Sequence, residues 1–364
     1  MQLSARQQYI LKAVVDNYIA TAEPVGSKVV ADSAVDKMSS ATVRNEMSLL
    51  EDLGFLIKPH RSAGRIPTDK AYREYIDNLM TLSPLKKQDK DEIRYNLYLN
   101  LNAGKDLLDS ANKTLSAETG YVVISLSPSS EESYLSQFKL IYLDRGKALV
   151  IVVLAAGIVN DKIIRVSDSF TASDLLEIAK NIEAKFIAKN PDDIDFSDFK
   201  DISTKANVNS EAIKDLYFKA YLAIKEAKHL DVLVSGLENL IVQDHISDFA
   251  IIAKMQRLLA DEQSWLDYLL ELSNVLEETD QDYTVRIGSE LEIKDFKDGS
   301  LAFTTYKLGD KLDGNMAVIG PKRMDYETVL PKLSFISQTI NDFYYQDDAV
   351  LNLIKDYKLG LNND

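Results

Sequence analysis

The chain contains no cysteine. That excludes disulfides and thiolate metal sites, and it suits a reducing cytoplasm. Histidine is scarce: His60, His229 and His245 share no metal-ligand spacing. The acidic cluster Asp192, Asp193 and Asp195 lacks the spacing and the glycine of a calcium loop, so it reads as a solvated turn. No phosphate-binding loop, nucleophile elbow or dinucleotide fingerprint occurs, and no carboxylate pair stands in a setting that suggests a metal. The sequence therefore predicts no catalytic residues, no metal and no cofactor. Long apolar runs are also missing. The longest, Ala148 to Val159, has 12 residues, short of the about 20 that a membrane-spanning helix needs. A basic-then-apolar leader is absent from the first residues. No membrane partner is expected, and the expected location is cytoplasmic.

What the chain has is an ordinary globular composition, 46% hydrophobic and 27% charged over 364 residues, long enough for two or three domains. Its net charge of −15 argues against nucleic acid at first sight. The distribution reverses that argument. Residues 1–80 carry ten Lys/Arg and ten Asp/Glu, which leaves 32 against 47 for the rest. The amino-terminal portion is neutral, and the acidic remainder is expected to face away from phosphate.

Residues 38–73 read MSSATVRNEMSLLEDLGFLIKPHRSAGRIPTDKAYR. Ser39 is a helix N-cap and Gly54 a C′ residue just past the helix end. At 100° per residue Val43, Met47, Leu50 and Leu53 share one face, with Leu49 at its edge. Ala41, Arg44, Asn45 and Ser48 share the other. Small residues flanking an Arg and an Asn are what a helix needs to bring its backbone close to base edges. Phe55-Leu56-Ile57 and Arg65-Ile66-Pro67 are two short extended pieces around Ser62-Ala63-Gly64. From Lys58 to Arg73 there are five Lys/Arg against one Asp. A capped amphipathic helix alone is usually scaffold, and a basic hairpin alone is usually a solvated turn. In this order and spacing they make a winged helix-turn-helix. The expected DNA-binding residues are Ser39, Ser40, Thr42, Arg44, Asn45, Ser48, His60, Arg61, Ser62 and Arg65. Arg44 and Asn45 are the base readers, unless Arg44 pairs with Glu46 or Glu51. Arg65 is expected at a phosphate or in the minor groove. Lys28 reads either as a phosphate contact or as a solvated lysine.

These residues resemble the heat-inducible transcription repressor family, the HrcA type that silences bacterial chaperone operons. The motifs that carry the resemblance are Glu23-Pro24-Val25-Gly26-Ser27, Ser39 to Gly54, Pro59-His60, Ser62 to Thr68, Tyr75 to Met80 and, near the far end, Gly320 to Tyr326. The likeness covers nearly the whole chain. Ala22 stands where the family usually has Gly, Ser40 where Pro is common, Arg61 where Thr is common and Ala71 where Gly is common. The resemblance implies a homodimer on an inverted-repeat operator of double-stranded DNA, control by a GroE-type chaperonin and by temperature, and a GAF-like domain interrupted by a dimerising insert.

Periodicity places a capping box at Ser4-Ala5-Arg6-Gln7, helices up to about residue 80, and helical pattern over residues 85–118. Strands follow at 121–126, 138–143, 149–154 and 158–166, with a hairpin turn at Asp144-Arg145-Gly146. A helix from Thr171 precedes an acidic loop at 190–205. Helical pattern then recurs up to Glu278, broken by the apolar run Leu230 to Val234. Strands return at 284–287, 301–306 and 315–319, before a helix from Tyr326 to Tyr345 and a final short helix. Strands on both sides of a mainly helical block give an α+β domain with an insertion. The expected division is a winged helix at 1–80, a linker helix at 81–104, a GAF-like domain at 105–189 and 284–364, and an inserted dimerisation domain at 190–283. Leu266, Leu269, Leu270 and Leu272 are the expected dimer contacts, since a small insert cannot bury them alone, joined by Trp265, which reads as core or interface with interface favoured. The alternative to a chaperone-operon repressor is a regulator gated by a metabolite in the GAF-like domain. A nucleic-acid enzyme, for example a processing nuclease using the acidic domain, is a third reading.

Overall fold

The computed structural model describes residues 3–33, 38–60, 63–102, 107–129, 134–155, 159–204, 206, 208–227, 232–239, 261–279, 281–293, 296–308 and 312–344. The amino-terminal domain contains α1 (Ala5–Thr21), α2 (Ser27–Ser33), α3 (Ser40–Asp52), the strands β1 (Leu56–Ile57) and β2 (Ile66–Pro67), and α4 (Asp69–Glu74). Its caps are those the sequence supplies. Ser4 and Gln7 form the reciprocal box that opens α1. Ser39 Oγ accepts Thr42 N–H at 3.1 Å and opens α3. The other end of α3 is closed by Gly54 at φ 78°, with Gly54 N–H donating to Glu51 O and Phe55 N–H to Leu50 O, both at 2.9 Å. This 6→1 and 5→2 pairing needs a left-handed residue, which glycine supplies without strain. Ile10, Leu11, Val14 and Val15 of α1, Val30 of α2, and Val43, Met47 and Leu50 of α3 are buried together with Phe55, Leu56, Tyr72 and Tyr75.

Beyond it the chain runs through α5 (Lys87–Asn102), α6 (Leu107–Thr119), β3 (Val122–Ser129), β4 (Leu135–Asp144), β5 (Lys147–Leu154), β6 (Val159–Arg165), α7 (Ala172–Phe186), α8 (Ser210–Glu226), β7 (Val232–Ser235), α9 (Glu262–Thr279), β8 (Thr284–Ile287), β9 (Gly299–Leu308), β10 (Leu312–Pro321) and α10 (Tyr326–Tyr344). The 240–260 portion of the helical pattern and the final short helix lie outside the described residues.

These elements fall into two compact units. The first joins the amino-terminal domain to a five-stranded sheet of order β7-β3-β10-β9-β8. One layer of its core comprises Val122, Ile124, Leu126, Leu301, Phe303, Ala317 and Ile319, packed with Trp265, Leu269, Leu272 and Leu276 of α9. Residues 299–304 of β9 are all buried, since α10 also packs against that strand and against α6. The second unit comprises residues 128–231 and 310–313. It is an antiparallel β4-β5-β6 meander, with α7 and α8 contributing to its core. The β4–β5 hairpin turns at Arg145-Gly146, with Gly146 at φ 76°. Ala148, Val150, Val152 and Leu154 point into the core, and Leu149, Ile151 and Val153 are half-buried on the opposite face.

These compact units divide the chain differently from the expected boundaries at 190 and 283. β4, β5, β6 and α7 belong with α8 in the inserted unit, whose sheet makes it α+β and not mainly helical. β7 and α9 belong with the five-stranded sheet. Period-2 patterning identifies a strand but not the sheet it joins, because pairing is decided by partners distant in sequence. Trp265, Leu269 and Leu272 are consequently core residues of the first unit and are buried. They are unavailable as dimer contacts. The expected linker helix is likewise packed, with Ile93 and Leu97 of α5 fully buried.

Candidate nucleic-acid interface

The site is built on α3 and the β1–β2 hairpin. With Val43, Met47 and Leu50 turned inward, Ser40, Ala41, Arg44, Asn45 and Ser48 are exposed on the opposite face, and Thr42 is half-buried. Ser39 and Thr42 hydrogen-bond to each other through their hydroxyls at 2.9 Å. Their first duty is therefore to cap the helix. Ser40 Oγ lies 3.0 Å from Ser27 Oγ and ties the start of α3 to the start of α2. Arg44 has no ion pair among the described residues. Both carboxylates expected to compete for it are engaged elsewhere: Glu46 with Arg6 at 3.7 Å, and Glu51 with Arg65 at 2.8 Å.

The hairpin pairs Leu56 with Pro67 and Ile57 with Ile66. Val25, just ahead of α2, makes an isolated antiparallel bridge to Arg65 through paired bonds, N–H to O at 2.9 Å in both directions. Gly64 permits this approach, since a Cβ there would sit 2.5 Å from the carbonyl of Val25. Lys58 is half-buried, while Lys28 and His60 are exposed. Arg61 and Ser62 lie outside the described residues.

Three of the five cations read from residues 58–73 are engaged by groups of the protein itself. Arg65 faces Glu51 with its side chain only 15% exposed. Lys70 Nζ donates to Leu53 O at 2.9 Å and lies 4.3 Å from the centre of the Phe55 ring. Arg73 pairs with Asp77 and Glu290. Sequence reasoning missed the Glu51–Arg65 pair and the Ser27–Ser40 contact. Fourteen and thirteen residues separate these partners, and no periodic signal links them.

Taken together, a capped helix with an exposed Arg-Asn face and a two-stranded wing bridged to Val25 is a winged helix-turn-helix. Residues 2–80 match the family model described as the winged helix-turn-helix transcription repressor, HrcA DNA-binding domain. Residues 105–330 match the HrcA protein C-terminal domain. The chain belongs to the HrcA family of heat-inducible transcription repressors. Its relatives include the heat-inducible transcription repressor HrcA of Carboxydothermus hydrogenoformans, 32% identical over 347 residues, covering 93% of this chain and 98% of that protein. The HrcA of Ruminiclostridium cellulolyticum is 30% identical over 354 residues, covering 94% and 97% respectively. These relatives are named as repressors, a role without catalysis. A solved structure titled only as a hypothetical protein matches with a TM-score of 0.63 at 23% identity, over 94% of this chain and 99% of that one. It shares the fold. Among the described residues no helix is long and apolar enough to cross a membrane.

Proposed function

We propose that the chain represses chaperone genes in the cytoplasm by binding an inverted-repeat operator as a homodimer, with α3 as the reading helix. The observation that carries this is Arg44, exposed and without an ion pair among the described residues, beside Asn45 on the face of α3 opposite its buried stripe. Arg forms a bidentate pair with guanine O6 and N7, and Asn does so with adenine N6 and N7. Ser39, Ser40, Thr42 and Ser48 present short hydroxyls around them, suited to phosphate and sugar contacts. Lys28, Lys58 and His60 extend the surface along α2 and the wing, and Arg61 and Ser62 are proposed as contacts from their place in the sequence alone. Footprinting of purified protein on the promoter of its own operon tests this reading. Protection of an inverted repeat is expected, and uniform weak protection would count against it.

The dimer contact is proposed on the inserted unit. The outer face of its sheet carries Ile141, Leu149, Ile151, Val153, Val159 and Ile163. Val159 and Ile163 are 60% and 63% exposed, and Leu149 pairs with both Ile141 and Ile163 across the sheet. Lys139, Asp161 and Gln137 share this face through their pairing with Ile151 and Val153, and its exposed apolar residues on a DNA-binding regulator fit a second copy of the chain. The five-stranded sheet with helices on it supports a GAF-like assignment for the body. Control by a GroE-type chaperonin rests on family membership. It predicts that operator occupancy falls when chaperonin is depleted, and unchanged occupancy would oppose it.

A further inference from the structure

We infer that Glu51 and Arg65 form a positioning pair that sets the wing against the reading helix, and that Arg65 is not a contact to the DNA backbone. The inference rests on the assignment of α3 as the reading helix. Three observations place Arg65 in this role. Its main chain is tied to Val25 by two hydrogen bonds of 2.9 Å, an approach so close that a Cβ at the neighbouring Gly64 would clash with the Val25 backbone. Its guanidinium turns toward α3 and meets Glu51 at 2.8 Å. Its Nε is closed off from solvent and has no hydrogen-bond partner. A phosphate-binding arginine presents its donor fork outward. This one is turned inward and paired.

Glu51 supplies the second half of the argument. It follows Ser48 by one turn of α3, so a carboxylate stands close to the surface that meets a polyanion. Taken alone, that charge opposes binding. Its partner explains its presence, because it holds the returning strand of the wing on the end of the helix whose other half reads bases. The arginines are thus divided: Arg44 is free to face DNA, while Arg65 fixes the angle between helix and wing.

The two readings of Arg65 predict opposite signs for Glu51→Gln. If Arg65 contacts phosphate, removing the carboxylate frees a cation and deletes a repulsive charge. Affinity for a duplex carrying the chain's own operator then rises, and its salt dependence steepens. If the pair positions the wing, affinity falls about five- to tenfold and the salt slope stays as in the wild type. Arg65→Ala separates them again. A lost phosphate contact lowers the slope by about 0.9, whereas a lost positioning contact leaves it unchanged. The double variant is expected to be no weaker than either single one. The charge-reversed Glu51→Arg/Arg65→Glu is expected to recover part of the loss. A reading independent of DNA is amide exchange at Val25 and Arg65, which should be faster in Glu51→Gln. Tighter operator binding by Glu51→Gln, a salt slope reduced by about one in Arg65→Ala, or unchanged amide exchange overturns the inference. Failure of the wild type to bind the operator would overturn the assignment of α3 instead, and amide exchange would still decide the pair.

Discussion

The Asp69 carboxylate, at the start of α4, accepts a hydrogen bond from Lys322 Nζ at 2.6 Å, just past the end of β10. The same carboxylate accepts Ser289 N–H at 3.1 Å. Beside it Arg73 donates to Glu290 Oε1 at 3.0 Å and to the Val285 carbonyl at 2.6 Å. Glu327 at the start of α10 accepts from Lys12 at 2.9 Å and from Tyr75 at 3.1 Å. The ring of Tyr72 meets Tyr326 edge-on at 6.4 Å. The DNA-binding domain is therefore fastened to the five-stranded-sheet body largely by partly buried charges.

This fastening gives a pH dependence of known sign. Burial pushes the Asp69 carboxyl up, but hydrogen bonds from Lys322 and Ser289 outweigh it and the net shift is downward. Glu327 behaves likewise: burial raises it, and the contacts of Lys12, Thr81 and Tyr75 bring it below its ordinary value. A lowered folded-state value stabilises the protein above the ordinary carboxylate range, and the stabilisation is lost as pH falls through the folded value. Asp69→Asn and Glu327→Gln should each cost about 1 kcal/mol near neutrality and flatten the acid limb of the stability curve. Urea titrations between pH 3 and pH 7 provide the check, and an acid limb identical to the wild type would refute it.

Ala22 ends α1 in the left-handed region, at φ 56° and ψ 10°, with its N–H bonded to Tyr18 O at 2.9 Å. A Cβ in that region costs roughly 1–2 kcal/mol, offset in part by the greater unfolded-state entropy of glycine. Ala22→Gly should therefore stabilise the chain by about 0.5–1 kcal/mol. A thermal melt should show a rise of about 1–3 °C, and a lower melting temperature would contradict the strain argument.

Arg44→Ala and Asn45→Ala should each remove roughly 1–3 kcal/mol of discrimination at particular base pairs and little elsewhere. Binding to a set of single-base operator variants measures this. Equal loss on every variant from Arg44→Ala would move that residue to the phosphate contacts.

Gly54 and Gly64 should respond differently to alanine. At Gly54 nothing lies within 4 Å of an added Cβ, and only the φ of 78° is unfavourable. About 1 kcal/mol of stability should be lost there, with little change in operator affinity. At Gly64 the Cβ would meet Val25 and Pro24 backbone at 2.5–2.6 Å, so the wing must move. Operator binding should weaken more than stability, and the reverse order would argue against a functional wing.

Replacing the exposed Val159 and Ile163 by Asp should leave the fold intact and shift elution toward a monomer. A doubly substituted chain that still elutes as a dimer would place the contact elsewhere.

The sequence alone determined the winged helix, because its signals are local. Ser4, Ser39, Gly54 and Thr68 lie within a few residues of the backbone groups they satisfy, and the stripe of α3 repeats within a single helix. Strand β8 was legible at 284–287 for the same reason. Tertiary structure alone decided which strands share a sheet, so residues 128–231 and 310–313 form one compact unit, and Trp265, Leu269 and Leu272 fill the core of the other. It also decided the fate of the basic residues. Charge counted along residues 58–73 predicted a cationic wing, yet Arg65, Lys70 and Arg73 are consumed by Glu51, Leu53 O and Glu290. A charge count records how many cations a segment carries. Which of them stay free for phosphate depends on partners that only folding brings within bonding distance.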